Sequence, residues 1–353
     1  MSTVNETLIR DVVTEVLGRL GGGPPAAAPS APAVVPARGC PLRTKPATRA
    51  RRGTFGVFSD ANEACAAAQE AFQQLSDAGV AGRKKVVELV KEICWAKAEE
   101  WGRLELEETK IGRLDHKIDK LKGQRDIPGV EFLNPYGLSG DHGITLEEFA
   151  PFGVIGAVTP STHSIPTMAC NIISMAAAGN AVVFNAHPGA ARCAITAARC
   201  FNEAIHRELG IENLASIIEP PTLESFDAIA RNENVRLLCV TGGPGVVKAA
   251  MASGKRAVCA GPGNPPVLVD GTSCLDNAAQ CVVAGAAWDN NLLCIGEKEV
   301  FVLEPFFDQF MTLLEKHGAH RLNDAQVARL TQAAFVFPPG QGAGCPHPVV
   351  NRD

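Results

Sequence analysis

The chain has 353 residues, of which 46% are hydrophobic and 20% charged, so it is long enough for two or three domains around a large core. Its net charge of −5 argues against a nucleic-acid binder, because affinity for phosphates is built from clustered lysine and arginine. No apolar stretch reaches the roughly 20 residues that span a bilayer, and charged residues interrupt the first positions, so we expect neither a membrane protein nor a secretory signal.

Twelve cysteines are scattered along the chain. None forms a CxxC pair, and none lies at zinc-ligand spacing with a histidine. Most are found in stretches rich in alanine and valine, as Cys65, Cys193, Cys200 and Cys281 are. We therefore expect buried thiols in a reducing cytosol, with no disulfide framework and no metal site.

The N-terminal segment combines an amphipathic helix with a linker. Residues 1–20 are predicted to be helical, since apolar side chains recur every four residues from Val4 to Leu20. Residues 21–53 contain much proline, alanine and glycine, a composition typical of a semi-extended linker. Two interpretations of the helix stay open: a tail that docks on its own domain, or a docking peptide for a partner protein, which we prefer.

From about residue 54 the pattern becomes that of a folded domain. Helical periodicity covers residues 60–79 and 83–107, and a charged segment follows at 108–123. Turn signals and short apolar runs then alternate over residues 126–149. This segment is predicted to form a protruding hairpin or arm.

From Phe152 onward, strands and helices alternate. Near-continuous apolar strands separated by helices are typical of a parallel sheet that is covered on both faces. We therefore predict an α/β fold with a doubly wound, Rossmann-type sheet. Strands are predicted at 152–160, 181–185, 235–241, 256–260 and 265–270, with helices at 164–179, 188–209 and 243–253 between them. A further strand is predicted at 298–304, and further helices at 272–293, 305–318 and 323–334.

Polar loops marked by glycine and proline follow three of these strands, at residues 158–163, 185–189 and 241–245. Glycines let a backbone approach a phosphate, and a helix N-terminus offers unpaired N–H groups and partial positive charge. Dinucleotides bind parallel sheets at the carboxyl ends of the strands, so the three loops together predict a cofactor site. The turn at 241–245 is not the GxGxxG fingerprint, and taken alone it is equally compatible with a plain connection.

Cys294 differs from the other cysteines in its position. An apolar helix ends in Asp289, Asn290 and Asn291, and a charged strand begins soon after Cys294, which puts this thiol in a connecting loop. A thiolate is a strong nucleophile once its pKa of about 8.5 is lowered by N–H groups or cations. On this evidence alone, a packed loop cysteine remains the alternative.

Five motifs follow one another along the chain: PFGVIGAVTPSTHSIPT, AAGNAVVFNAHPGA, VTGGPGVVKAA, AGPGNPPVLVD and NNLLCIGEKE. In this order and at this spacing they resemble those of the CoA-acylating aldehyde dehydrogenases of the aldehyde dehydrogenase superfamily. Within that group the chain is similar to the propionaldehyde and acetaldehyde dehydrogenases of bacterial microcompartments. The resemblance covers about residues 54–353.

The resemblance implies an aldehyde dehydrogenase-like fold. It assigns residues 54–256 to an NAD-binding domain, 126–149 within it to an oligomerisation arm, and 257–353 to an incomplete α/β catalytic domain. In the family the catalytic domain continues further, so we expect a C-terminally truncated chain, whose activity and oligomerisation are then in question. With a full-length catalytic domain, the resemblance implies a homo-oligomer.

The resemblance also implies site residues and two cofactors, NAD and coenzyme A. Cys294 becomes the nucleophile. The resemblance places His163 near the oxyanion of the thiohemiacetal. Two roles stay open for it: it donates a hydrogen bond to the oxyanion, or it only lines the pocket. The positions implied to contact the nucleotide are Thr159, Pro160, Asn185, His187, Pro188, Thr241, Gly242, Gly243 and Val246.

One departure from hydrolytic relatives points to the acyl acceptor. Those enzymes carry a glutamate in the segment that reads Ala260-Gly261-Pro262-Gly263-Asn264 here. Without a general base, water attacks an acyl-enzyme poorly, whereas a CoA thiol with a pKa near 8.5 ionises far more readily. We therefore expect NAD-dependent oxidation of a short aldehyde, propionaldehyde before acetaldehyde, to its acyl-CoA. The alternatives are a catalytically impaired nucleotide- or CoA-binding module with a role in microcompartment assembly, and a hydrolytic aldehyde dehydrogenase.

The N-terminal helix and linker resemble the encapsulation peptides of microcompartment enzymes. Such a peptide docks its apolar stripe in a groove of another protein. The expected partners of residues 1–20 are therefore shell or core proteins. The expected location is the lumen of a bacterial microcompartment in the cytoplasm.

Overall fold

The computed structural model describes residues 55–336 and 345–346. The helix predicted at 1–20 and the linker predicted at 21–53 lie outside the described residues, as do residue 54 and most of 337–353. Within the described part of the chain, no helix has the length and apolar character needed to cross a bilayer.

The described chain contains twelve strands and ten α-helices, joined in places by short 3-10 turns. The strands are β1 (Val57–Phe58), β2 (Tyr136–Gly140), β3 (Gly143–Glu147), β4 (Val154–Thr159), β5 (Ala181–Ala186), β6 (Ala215–Ile218), β7 (Val235–Thr241), β8 (Ala257–Ala260), β9 (Pro266–Val269), β10 (Glu299–Val302), β11 (Phe335–Val336) and β12 (Cys345–Pro346). The helices are α1 (Ala61–Ala96), α2 (Ala98–Thr109), α3 (Leu114–Lys122), α4 (Ser164–Ala177), α5 (Ala191–Leu209), α6 (Leu223–Arg231), α7 (Pro244–Ala252), α8 (Leu275–Ala287), α9 (Glu304–Lys316) and α10 (Asp324–Ala334).

Six strands form one parallel sheet in the order β1-β6-β5-β4-β7-β8. Every residue of β4, β5 and β6 is buried, which confirms the prediction of a parallel sheet covered on both faces. The chain runs outward from β4 through β5 to β6 and then returns to β7 on the other side of β4. The strand order therefore reverses between β4 and β7, and ligands of such sheets bind at that point.

Two strands of the six-stranded sheet, β1 and β6, and the helices α3 and α6 were not predicted. β6 and α6 lie in a stretch between residues 210 and 234 that carries only a weak pattern. The available signal is a short apolar run from Leu214 to Ile218, which Asn213 and Pro220 bracket. A four-residue strand is too short for its periodicity to distinguish it from a loop.

The two long helices predicted at 60–79 and 83–107 are present with different ends. α1 continues through the expected break but is kinked at Gly79, where φ is 65°. An L-residue with a side chain adopts that conformation at a cost, which explains glycine at the kink. α2 follows, and its Trp101 contacts Phe201 of α5 edge to face, with ring centroids 5.3 Å apart.

The segment predicted as a hairpin contains one. β2 and β3 pair antiparallel, from Tyr136 opposite Glu147 to Gly140 opposite Gly143. All ten residues are exposed in the chain as described. Its assignment as an oligomerisation arm stays a prediction.

A smaller unit follows the main sheet. β9 and β10 pair in parallel, and Val269, Ala279, Val282 and Phe310 form their own buried cluster with α8 and α9. The boundary predicted between residues 256 and 257 assigns β8 to the catalytic domain. In the structure β8 pairs with β7 as the edge of the six-stranded sheet.

Candidate active site

Two cavities meet at Cys294. They share three lining residues, Cys294, His163 and Thr241. The larger cavity has a volume of about 450 Å³ and the smaller one about 290 Å³. Cys294 is partly buried and follows the 3-10 turn Trp288–Asn291, so its thiol borders both spaces from a loop, as its sequence position indicates.

The larger cavity is mostly apolar. Its walls include Ile127, Pro166, Trp288, Leu293 and Ile295. Apolar side chains from three separate parts of the chain thus surround one face of the thiol. A space of this kind suits a short aliphatic substrate with its reactive carbon at Cys294.

The smaller cavity is built by the loops that follow the strands. Pro160, His187, Thr241, Gly242 and Gly243 line it. They come from the ends of β4, β5 and β7, so the predicted convergence of three loops is found. The loop after β8 adds Gly261 and Pro262 to the wall.

Four residues implied to contact the nucleotide lie elsewhere. Thr159 is fully buried at the end of β4, 3.4 Å from the Ser164 hydroxyl. Pro188 is exposed in the turn after β5. Val246 packs on the core, and its Cγ1 lies against Gly242.

Asn185 is the fourth of these, and its side chain is engaged within the protein. Its Nδ2 donates to the Thr222 carbonyl at 3.1 Å, and its Oδ1 accepts from the Ser225 hydroxyl at 2.6 Å. Thr222 and Ser225 form the capping box of α6. The amide of Asn185 therefore holds β5 to the start of α6, and a nucleotide contact there stays a prediction.

The N-termini of α4 and α5 are occupied by carboxylates from α2. The Glu105 carboxylate accepts from the Ile165 N–H at 3.3 Å. The Glu108 carboxylate accepts from the N–H groups of Arg192 and Cys193 at 2.8 and 2.7 Å. These side chains already satisfy N–H groups that would otherwise attract a phosphate.

The N-terminus of α7 differs from those two helices. Its cap residue is Gly243, which has no side chain to occupy the helix end. A Cβ built on Gly243 meets no atom within 4 Å, so open space lies in front of the backbone there. The Thr241–Gly243 turn also lines the smaller cavity, so a helix end without a side-chain cap borders that space.

Several contacts fix the loop that carries Cys294. Lys298 donates through Nζ to the carbonyls of Leu293 and Gly296, both at 2.9 Å. Asn291 donates through Nδ2 to the carbonyls of Ala286 and Glu297 at 2.7 and 3.0 Å. Lys298 and Asn291 thus stabilise the turn that carries Cys294.

A largely buried cation from α3 also reaches this region, and no pattern in the sequence indicates it. Lys120 lines the larger cavity, and its Nζ lies 2.7 Å from the carboxylate of Asp289, which is fully buried. The imidazole of His116, on the same helix, stacks on Trp288 with ring centroids 4.0 Å apart. The charged segment 108–123, for which the sequence predicted no particular structure, therefore contains a helix that anchors the loop of Cys294.

His163 is a neutral imidazole in this environment. Burial lowers its pKa to about 4, and the charges of Lys120 and Lys117 act in the same direction. Its Nδ1 lies 2.9 Å from the Thr162 hydroxyl. A hydroxyl that donates to Nδ1 leaves the ring proton on Nε2, where it is a hydrogen-bond donor.

No carboxylate lines either cavity among the residues that the structure describes. The loop after β8, where hydrolytic relatives place their glutamate, contributes Gly261 and Pro262. Lys120, His163 and His187 are the titratable nitrogen groups in the described walls. The described walls therefore contain the Cys294 thiol and no acidic group that could act as a base for water.

Comparison with known proteins agrees with this geometry. The model of the aldehyde dehydrogenase family matches residues 41–326. An acetylating acetaldehyde dehydrogenase of Salmonella typhimurium is 42% identical over 301 residues, which are 85% of this chain and 63% of that protein.

Two solved structures are also similar. One is the propionaldehyde dehydrogenase of Rhodopseudomonas palustris with bound CoA and an acylated cysteine (TM-score 0.75, 38% identity, 80% of this chain and 66% of that one). The other is a propionaldehyde dehydrogenase from the fucose utilisation microcompartment of Clostridium phytofermentans (TM-score 0.74, 40% identity, 80% of this chain and 65% of that one). The chain spans less than two thirds of the length of these three proteins.

Proposed function

The chain belongs to the aldehyde dehydrogenase family, and we propose that it provides the site for NAD-dependent oxidation of a short aldehyde to its acyl-CoA. The observation that carries the proposal is the position of Cys294, between an apolar cavity and a cavity walled by three strand-end loops. A substrate carbonyl on one side and a nicotinamide on the other then meet at one sulfur. Propanal is the preferred aldehyde and acetaldehyde the second.

In this proposal Cys294 forms the covalent intermediates. Its thiolate adds to the aldehyde carbonyl and gives a thiohemiacetal, whose oxidation leaves a thioester on the sulfur. The negative oxygen of the thiohemiacetal needs hydrogen-bond donors. The Cys294 N–H and the Nε2–H of neutral His163 are the proposed donors.

The residues of the smaller cavity fit a dinucleotide. The Thr241–Gly243 turn with the open N-terminus of α7 would hold the pyrophosphate, and Pro160 and His187 line the same cavity. When bound, NAD accepts the hydride. The capped ends of α4 and α5 direct the phosphates to α7, because Glu105 and Glu108 would repel them elsewhere.

The acyl acceptor is proposed to be the CoA thiol. No carboxylate lines the described walls of either cavity, so nothing there is suited to take a proton from water. A thiol with a pKa near 8.5 ionises far more readily than water and attacks the thioester without such a base. The bound CoA and acylated cysteine of the Rhodopseudomonas palustris structure support the same chemistry.

The test is the formation of NADH from propanal by the purified chain. We expect it to require CoA and to be lost in Cys294→Ala. Cys281→Ala is the matched control and should keep full activity. The thiol of Cys281 is exposed, so the prediction of burial from its alanine- and valine-rich surroundings was wrong. Free propionate formed at the same rate without CoA would favour hydrolysis instead.

A second readout separates an active enzyme from a catalytically impaired binding module. Propanal and NAD without CoA should leave a propionyl group on Cys294, visible as a mass increase of the intact chain. A chain that binds NAD but neither forms NADH nor acquires this mass would contradict the proposed activity. That result would favour the binding module.

The contribution of His163 has its own test. His163→Ala is expected to lower kcat on the order of 100-fold, the effect of losing one oxyanion donor. Its affinity for NAD should change little. A variant with parental kcat would show that His163 only lines the pocket.

The microcompartment assignment is likewise a proposal. Support comes from the Clostridium phytofermentans relative and from the amphipathic pattern of residues 1–20. Deleting those residues should leave activity intact and release the chain from compartments. Co-purification of the truncated chain with shells would contradict docking through this helix.

A homo-oligomer is proposed as well, with 126–149 as its arm. The exposed hairpin within that segment carries Leu138, Ile144 and Leu146 on its surface. Light scattering gives the molar mass of the parent in solution and that of a variant without residues 136–147, and we expect a lower mass for the variant. An unchanged mass would contradict the arm.

A further inference from the structure

A single lysine connects the two loops that present the reactive groups. Lys120 lies on α3, and its Nζ is 2.7 Å from an Asp289 carboxylate oxygen. The same Nζ donates to the carbonyl of Thr162 at 3.4 Å. Asp289 lies five residues before Cys294, and Thr162 directly precedes His163.

Further hydrogen bonds and a close backbone contact hold Asp289 in place. Arg113 donates its backbone N–H to Oδ1 at 2.9 Å, and the Asp289 N–H donates to His116 Nδ1 at 2.8 Å. The backbone of Gly112, with φ at 75°, lies directly against the carboxylate, so any side chain at that position would collide with it.

The catalytic loop needs this support because its backbone is in an unfavourable conformation. Asp289, Asn290 and Asn291 have φ values of 49°, 56° and 59°. Three successive non-glycine residues in the left-handed region cost energy and persist only where surrounding contacts enforce them. Lys120 supplies the charged contact that enforces the first of them.

The Thr162 side is held by two ammonium groups. Lys117, fully buried, donates to the same carbonyl at 3.2 Å and pairs with the Glu105 carboxylate at 3.5 Å. Lys117 therefore connects Thr162 to α2, which also caps α4. Of these two lysines, Lys120 is the one paired with Asp289.

We propose that Lys120 is a positioning residue, whose ammonium group fixes the loop of Cys294 relative to the loop of His163. This inference rests on the proposed function, since the distance it sets is the one between nucleophile and oxyanion donor. A displacement of about 1 Å in such a pair lowers the rate on the order of 100-fold. Lys120 acts through these two loops and takes no proton in the scheme.

The experiment compares Lys120→Met with Lys122→Met, which removes a charge from the same helix at a side chain that faces Trp95. Hydrogen–deuterium exchange is followed in peptides that cover 159–164 and 286–296. We expect faster exchange in both peptides for Lys120→Met and parental exchange for Lys122→Met. Parental exchange in both variants would overturn the proposal.

Kinetics give the second readout. Lys120→Met should lower kcat on the order of 100-fold while the Kd for NAD stays within twofold of the parent, and Lys120→Arg should recover most of kcat because it keeps the charge and the donors. A loss of NAD affinity that parallels the loss of kcat would instead show a general structural role and overturn the proposal.

Removing Lys120 leaves the buried Asp289 unpaired, which destabilises the fold. The double variant Lys120→Met/Asp289→Asn removes both charges and is expected to recover thermal stability without recovering kcat. Recovery of kcat together with stability would overturn the positioning role.

The pKa of His163 reports where the Lys120 ammonium group lies. The charged groups around His163 are Lys117 and Lys120 from α3 and Asp289 from the catalytic loop, with Glu105 of α2 at the start of α4. The charge of Lys120 lowers that pKa, so Lys120→Met should raise it in an NMR titration of the ring. An unchanged pKa would contradict the placement of Lys120 beside the loop of His163. If the parent chain forms no NADH, the proposed function fails, and the exchange data still decide on Lys120.

Discussion

The backbone of Gly263 lies directly against the backbone carbonyl of Cys294. A Cβ built on Gly263 would collide with that carbonyl oxygen and lie 3.3 Å from the Cys294 Cβ. Glycine at this position therefore lets the loop after β8 pass behind the nucleophile. The contact links the segment that lacks the hydrolytic glutamate to the proposed nucleophile.

Gly263→Ala is accordingly predicted to displace Cys294. We expect kcat to fall on the order of 100-fold, the effect of a shift of about 1 Å at a reacting group. Gly123→Ala, where a Cβ meets no atom within 4 Å, is the matched control. Steady-state kinetics measure both variants, and parental kcat in Gly263→Ala would contradict the assigned contact.

Gly243→Asp tests the phosphate end of the site. The backbone of Gly243, with φ −69° and ψ 167°, accepts any residue, and aspartate at an N-cap stabilises a helix by roughly a few tenths of a kcal/mol relative to glycine. Its charge would occupy the place of a phosphate, so we predict at least tenfold weaker NAD binding in an equally or more stable protein.

Gly243→Ser is the control for that variant, because it caps the helix without charge. Isothermal titration with NAD and thermal unfolding give the two quantities. Unchanged NAD affinity in the aspartate variant would place the pyrophosphate away from α7.

Glu108→Ala tests the carboxylate caps. Its two hydrogen bonds hold the start of α5, and removal of a cap costs about 1–2 kcal/mol of the free energy of unfolding. Glu107→Ala, an exposed neighbour on α2, should cost little. Urea denaturation measures both, and equal midpoints in the two variants would argue against the cap.

The pH dependence of stability follows from His163. Its pKa lies at about 4 in the folded chain, below the ordinary value of 6.5, mainly because of burial. As pH falls from 6.5 towards 4, the unfolded chain takes up this proton and the folded chain does not, so stability decreases across that window. The contribution of neutral His163 to stability is fully present above pH 6.5.

His163→Gln cannot titrate and should lose less stability than the parent between pH 7 and pH 4.5. His142→Gln, at an exposed turn of the hairpin, serves as control and should behave like the parent. Urea midpoints at the two pH values provide the comparison. An identical pH dependence in all three proteins would rule out a depressed pKa at His163.

The sequence was sufficient for the parallel sheet and for the loops that meet at its edge. Strands that are apolar throughout report burial on both faces, and the carboxyl ends of parallel strands necessarily lie together. Cys294 was singled out by its position at the boundary of two elements, and its role as nucleophile was implied only by the resemblance to CoA-acylating aldehyde dehydrogenases. The short strand β6 and the helix α6 were not predicted, because their hydrophobic pattern extends over too few residues.

Partnerships between distant side chains were decided only by the tertiary structure. Glu105 and Glu108 repeat on one face of α2, which predicts a helix, yet their partners Ile165 and Arg192 lie 60 and 84 residues further along the chain. Lys120 and Asp289 are separated by 169 residues. Periodicity shows which face of an element is buried, whereas the group that meets a buried charge depends on how the elements pack.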